Sequence, residues 1–144
     1  MDLRLPELHQ SLRDEAVRFA QQEVLPHAEH IDAKEEIPEA LVLAAGELGL
    51  FGLMAPEEKG GADLDALALV LVVEALSAAS PSLGALLANH AGPATLALRT
   101  TEFFTEAHAE GKETLAYSDG GLSPIPSSYL VSGDGIHDGF EATR

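Results

Sequence analysis

From Ala66 to Ala88 the chain carries a single charged side chain, Glu74. A run this apolar has two stable homes, the interior of a folded core or the hydrocarbon of a bilayer. Ser80-Pro81-Ser82 interrupts it, Glu74 sits near its middle, and Ala75, Ala78 and Ala79 are small enough for close helix packing in water. The run therefore predicts two core helices. One spans Ala66 to Ala79, is capped by Asp63 or Asp65, and is buried on all sides at the centre. The next is opened by Ser80 as cap with Pro81 in its first turn, and presents Leu83, Leu86, Leu87 and His90 on one face.

The flanking segments predict further helices around that pair. Leu5, Leu8, Leu12, Ala16, Phe19, Ala20 and Val24 recur three or four apart, which lines one helix face, and Pro26 ends or kinks that helix. A charged bend is expected from Pro26 to Ile37. Pro38 then occupies the first turn of a helix marked by Leu41, Ala44, Ala45 and Leu48, with Gly49 placed for the left-handed residue that follows a last turn. Gly52, Pro56 and Gly60-Gly61 mark the next stretch as loop. Gly92-Pro93 breaks the helix that carries His90 and starts a short successor ending near Arg99; Thr100 or Thr101 caps a last helix to about Ala109, stopped by Gly111. The fold class is mainly α: a bundle of about six helices with a short strand tail.

After Gly111 the texture changes. Thr114 to Tyr117 is expected to be extended, Ser118 to Ser128 is rich in Gly, Pro and Ser, and Tyr129-Leu130-Val131, Asp134-Gly135 and Ile136 to Phe140 predict a hairpin. An isolated hairpin is marginal in water, so these strands need a sheet, a helix or another subunit to cover them.

Composition narrows the function classes. Across 144 residues there are 24 acidic and 8 basic side chains, a formal net charge of −16. That excess repels nucleic-acid backbones and anionic lipid headgroups, so neither nucleic acid nor membrane is an expected partner. Without cysteine there are no disulfides, thiolate catalysis or cysteine metal sites. No export signal is evident at the start, where Asp2, Arg4 and Glu7 interrupt the apolar residues, and the expected location is cytoplasmic.

The stretch Glu47-Leu48-Gly49-Leu50-Phe51-Gly52-Leu53-Met54-Ala55-Pro56-Glu57-Glu58-Lys59-Gly60-Gly61-Ala62-Asp63-Leu64-Asp65 resembles the ELGLxGxxxPEExGGxGLD segment of the acyl-CoA dehydrogenase family. Glu23-Val24-Leu25-Pro26-His27-Ala28 and Ile37-Pro38 before it, and Val73-Glu74-Ala75-Leu76 after it, follow the same order. The likeness runs over about residues 5 to 117. It implies an N-terminal helical domain over residues 1–111 and, over 112–144, a β-rich tail similar to the start of the family's middle β-domain. It also implies FAD as cofactor and oxidation at the CH–CH bond of an acyl-CoA thioester, a glutamate taking the proton and the flavin the hydride. Ser118 and Ser123 stand where the family has the threonine and serine of a flavin-contacting turn, with a spacing one residue shorter. Leu86, Leu87 and His90 correspond by position to the helix that borders the acyl chain, and the alternative for all three is ordinary core packing. The segment from Arg99 to Gly111 is several residues shorter than the family pattern. The catalytic glutamate and most FAD contacts belong to parts of the family beyond this likeness, so no catalytic residue is assigned and the chain alone is expected to be inactive.

Other constellations give way to simpler readings. Glu23, His27 and His30 have one-turn spacings suited to metal ligation, but Pro26 spoils the register. His137-Asp138 with Asp134 is a polar turn. Gly133-Asp134-Gly135-Ile136-His137-Asp138-Gly139 places its third glycine one position late for a dinucleotide loop. Ser118, Asp119 and His137 lack the G-x-S-x-G elbow of a hydrolase. No metal site is assigned.

Two functions follow. The chain is a flavoenzyme part that works with a second copy or a complementing dehydrogenase subunit and meets acyl-CoA only in the assembled enzyme, or it is a non-catalytic helical module for oligomerisation or partner binding. Both expect an apolar face that needs covering and a dimer burying on the order of 1,600 Å².

Overall fold

A computed structural model describes residues 4–117, 128–132 and 135–137. Its first helix, α1 (Glu7–Phe19), starts after Pro6 and buries Ala16 and Phe19, while Leu12 packs at the margin and Leu8 remains 58% exposed. The helical path does not stop at Pro26. It widens into a π-type turn at Ala20–Val24, tightens into a 3-10 turn at Leu25–His27, and resumes as α2 (Ala28–Lys34). Proline costs a helix one N–H bond and crowds the preceding turn; widening that turn accommodates the ring. Ile31, fully enclosed, anchors α2 where the sequence predicts only a charged bend. Glu35, with φ 54°, ends it in the left-handed region.

Pro38 sits just outside α3 (Glu39–Glu47) rather than within its first turn, and Gly49 takes the expected left-handed conformation at φ 74°. The motif loop then turns twice, at Leu50–Gly52 and Glu57–Lys59, and buries Leu50, Phe51, Leu53, Met54 and Ala55. It closes by its own backbone: Ala62, Asp63 and Leu64 donate to the carbonyls of Gly52, Ala55 and Leu53 at 2.9, 2.9 and 2.7 Å. Gly61 permits this closure, since a Cβ there would lie 2.1 Å from the Ala55 carbonyl oxygen.

α4 (Ala66–Ala79) has the predicted bounds. Asp65 caps it, accepting from Ala68 N–H at 3.0 Å and from His9 Nε2–H at 2.8 Å, so one carboxylate ties α1 to the start of α4. The helix packs on α1 and on α5 (Pro81–Asn89) through Ala68, Leu71, Val72, Ala75 and Leu76. It is not enclosed all round: Leu67 and Val70 are 41% and 59% exposed, leaving an apolar stripe on an otherwise central helix. Among the described residues no helix is long and apolar enough to cross a membrane.

Ser80 Oγ caps α5 through Leu83 N–H. At His90–Ala94 the helix widens and kinks at Gly92 (φ −92°, ψ −106°) before Pro93, then continues as α6 (Thr95–Leu98). The expected last helix from Thr100 or Thr101 shortens to α7 (Glu106–Ala109), with Thr105 as its cap. A helix starting earlier would need the Thr101 carbonyl for the Thr105 N–H. Lys59 Nζ takes that carbonyl at 2.6 Å, and the Thr105 N–H points instead to His108 Nδ1 at 3.1 Å.

Gly111 (φ 70°) turns the chain into β1 (Glu113–Tyr117), which pairs antiparallel with β2 (Ser128–Ser132), Leu115 opposite Leu130. β3 (Gly135–His137) pairs with β2, Val131 opposite Ile136, giving the order β1-β2-β3. The Asp134 turn position and the continuation to Phe140 lie outside the described residues. With seven α-helical segments and one small sheet described, the protein is mainly α, as its periodicities indicate.

The interior has two parts. The larger joins α1, α3, α4, α5 and the motif loop around Phe19, Leu50, Phe51, Val72, Leu76 and Leu83. The smaller, of Ala55, Ala94, Phe104, Ala109 and Leu115, binds α7 and β1 to the loop.

Candidate functional site

Of the residues that the sequence singles out, Leu86, Leu87 and His90 lie along the end of α5, and His90 reaches the place where its kinked end meets α7 and β1. α5 places Leu83 and Leu87 in the larger core, fully buried, with Leu86 half-buried beside it. One turn on, His90 is wholly enclosed. Its imidazole is committed at both nitrogens: Nδ1 accepts from Leu115 N–H at 2.8 Å, and Nε2 lies 3.0 Å from the His108 carbonyl. An accepting Nδ1 fixes the neutral tautomer with the proton on Nε2, which therefore donates to that carbonyl. The ring of Phe51 meets the imidazole edge-on, centroids 5.0 Å apart. The His90 carbonyl accepts from Thr95 Oγ1 at 2.7 Å and from the Thr95 N–H, one residue further on than in a regular α-helix, across the widened turn at Gly92-Pro93.

Burial pushes His90 down to about 4, against a smaller opposing effect of its bond to the His108 carbonyl. His108 is likewise lowered by burial, with Glu113 opposing. Its Nδ1 faces Thr105 N–H at 3.1 Å and Thr105 Oγ1 at 2.8 Å, and its Nε2 lies 3.3 Å from a Glu113 carboxylate oxygen. Both histidines are therefore neutral at ordinary pH, and each accepts a backbone N–H.

Phe51, quoted above only as part of the motif stretch, completes this junction with His108 and Thr95, which the sequence does not single out. His108 alone had a local cue, because Thr105 stands three residues before it, the spacing of a capping box with imidazole in the place of the usual glutamate. Glu23, His27 and His30 do not form a site: His27 Nδ1–H donates to the Glu23 carbonyl at 2.9 Å on the surface, and among the described residues no three His, Asp or Glu side chains are grouped to hold a metal. Ser118 and Ser123, like Asp119, Asp134 and Asp138, lie outside the described residues.

A flavin needs a set of donors facing its ring and phosphates. Of the buried polar side chains described, Ser80, His90 and Thr95 serve partners within the chain, and His108 does so through Nδ1, its buried Nε2 being the one imidazole nitrogen at this junction without a hydrogen bond. A cleft of about 480 Å³ lies where the motif loop meets α7, bounded by Gly46, Gly49, Gly60 and Ala109, with Glu47, Glu110 and Lys112 at its wall. Lys112 is already paired with Glu110 at 2.6 Å. The two carboxylates make that wall a poor partner for phosphates. The described residues thus do not by themselves assemble a flavin site, and no catalytic step is derived through one.

Comparison with known proteins agrees with this architecture. The family model for the acyl-CoA dehydrogenase N-terminal domain matches residues 6–106. The mitochondrial short-chain specific acyl-CoA dehydrogenase of Sus scrofa is 40% identical over 85 residues, covering 59% of this chain and 21% of the relative. An acyl-CoA dehydrogenase from Bacillus anthracis solved with FAD is 27% identical, with a TM-score of 0.65 over 77% of this chain and 20% of that one. The butyryl-CoA dehydrogenase of Megasphaera elsdenii, 23% identical, shares the fold with a TM-score of 0.70 over 79% of this chain and 32% of that one. The chain spans about a fifth of the length of the curated relative. A helical core closed by a self-paired motif loop, matched over residues 6–106, places the chain in the acyl-CoA dehydrogenase family through its N-terminal domain.

Proposed function

We propose that this chain supplies the helical wall of an acyl-CoA dehydrogenase-like flavoprotein. Residues 1–111 serve as its N-terminal helical domain and 112–144 as the opening of a middle β-domain. The assembled protein is an FAD-dependent oxidoreductase acting on the CH–CH bond of acyl-CoA thioesters. The single observation that carries this reading is the family match over residues 6–106, which also close a continuous helical core. Within that wall Leu86, half-buried, is the residue offered to an acyl chain; Leu87 and His90 support it from behind. Ser118 and Ser123 are proposed as hydrogen-bond donors to the flavin. In this reading the general base is supplied by the assembled protein, and the chain by itself does not turn over. Activity requires a complementing dehydrogenase subunit, whether or not the chain also pairs with a second copy of itself.

The test is an absorbance scan of the flavin band, followed by acyl-CoA-dependent dye reduction. Both are measured on the purified chain with FAD, then with the separately expressed remainder of a dehydrogenase. The expected result is a colourless, inactive chain that retains flavin and turns over only in the mixture. Turnover by the chain alone would refute the proposed division of labour. A stable oligomer that takes up no flavin in any pairing would instead make it a non-catalytic helical module.

A further inference from the structure

The two buried histidines do more than fill space, because each holds a backbone N–H at a place where the helical body joins the sheet. His90, on the kinked end of α5, is bonded to β1 at Leu115 and to α7 at His108. His108 holds the cap of α7 at Thr105 and faces Glu113 at the start of β1. We propose that His90 and His108 form a proton-operated latch, which holds β1 against the helical body near neutrality and releases β1 and α7 in acid while the larger helical core stays folded.

The chemistry of the acceptor dictates this. Protonation puts a hydrogen on Nδ1 of His90, where it points at the Leu115 N–H 2.8 Å away. Two donors cannot share that space, and the new charge has no counter-ion within the smaller core. The groups around the pair are few. The turn Leu50–Gly52 and helices α5 and α6 contribute no titratable side chain, α4 contributes Glu74 on its exposed side, α7 contributes Glu106 and His108, the link from α7 to β1 carries Glu110 paired with Lys112, and β1 contributes Glu113, 40% exposed at its side chain, and carries Tyr117 at its end. Glu113 favours a charged His108 against the larger effect of burial, and a charge on His108 opposes a proton on His90.

The sign follows from the direction of the shifts. A histidine whose folded value lies below its ordinary 6.5 stabilises the closed state fully above that value, and the contribution is lost as pH falls through the folded value. The opening is confined because Leu115, Ala109 and Phe104 belong to the smaller core, whereas Leu76, Val72 and Leu83 belong to the larger.

The test uses the full chain labelled with ¹⁵N. Histidine ring spectra report the tautomer, and amide hydrogen exchange compares Leu115 with Leu76, each expressed as a protection factor. The expected result is His90 protonated on Nε2 alone near neutrality. The protection of Leu115 relative to Leu76 should fall on the order of 100-fold between about pH 7 and about pH 4. His90→Gln keeps an acceptor and a donor but does not titrate, and should cut that fall at least tenfold. Three results would overturn the latch: a Nδ1–H tautomer for His90, a constant Leu115-to-Leu76 ratio down to acid, or the full fall retained in His90→Gln. The tautomer and the ratio are read on the unmodified chain, so they decide the matter even where the variant does not fold.

Discussion

Replacing Gly46 by alanine sets two known effects against each other. Within a helix alanine is favoured over glycine by at most about 1 kcal/mol, because glycine loses more backbone freedom, and Gly46 lies in the last turn of α3. Gly46, however, lies against the end of α7: a Cβ there would sit 2.0 Å from the Glu110 carbonyl oxygen and 3.0 Å from its carbon. Ordinary contact needs more than an ångström of withdrawal, and the obstacle is backbone, which cannot rotate aside. Nor can α7 retreat freely, since Gly111 follows at φ 70° with a built Cβ position only 2.5 Å from the Phe51 ring. Overpacking of this kind costs up to about 3 kcal/mol, which exceeds the propensity gain and leaves Gly46→Ala destabilised by about 2 kcal/mol. Urea unfolding followed by far-ultraviolet circular dichroism measures it as a lower midpoint at unchanged slope. Ala78→Gly on the exposed side of α4 calibrates the propensity effect alone. If Gly46→Ala were as stable as the parent chain or more so, the close approach of α3 and α7 would be refuted, and with it the way the motif loop is seated.

Other outcomes follow from the same geometry. Phe51→Ala should cost about 3–5 kcal/mol, because the ring is fully buried between the motif loop, Gly111 and His90. Any folded Phe51→Ala protein should also show His90 titrating closer to its ordinary 6.5, as water reaches the imidazole. The Asp65 carboxyl is held below its ordinary 3.8 chiefly by the bond from His9, then by Ala68 N–H. Its stabilising effect is therefore present above 3.8 and lost as pH falls through the lowered value, so Asp65→Asn should be less stable near neutrality and show a flatter acid limb in thermal melts. An unchanged acid limb would mean that the link between α1 and α4 does not form.

Much of the helical body could be read directly from the residues. The bounds of α4, the Ser80-Pro81 start of α5, the left-handed Gly49 and the break at Gly92-Pro93 are all local events, fixed by side chains and φ preferences within a few positions of each other. The readings that changed were those in which a distant partner overrode a local signal. Pro26 kinks the helical path, as one of its two expected effects, while α7 starts late where Lys59, forty-two positions before Thr101, takes the Thr101 carbonyl. Leu67 and Val70 look like core residues in a run with one charge, yet they face outward, since α1, α5 and the turns that continue them cover the other side of α4.

His90 shows the same limit at the candidate site. Its spacing from Leu83 and Leu87 placed it on an inward face, but spacing carries no information about Leu115 or His108, each contributed by a different element. Periodicity, caps and the motif loop determined by themselves that the chain is mainly helical and where α1, α4 and α5 run, because those properties depend on contacts of short range along the chain. Which imidazole nitrogen holds a proton, which glycine admits a carbonyl, and which apolar face stays uncovered were settled only when the helices packed. Those properties depend on what arrives from elsewhere in the sequence.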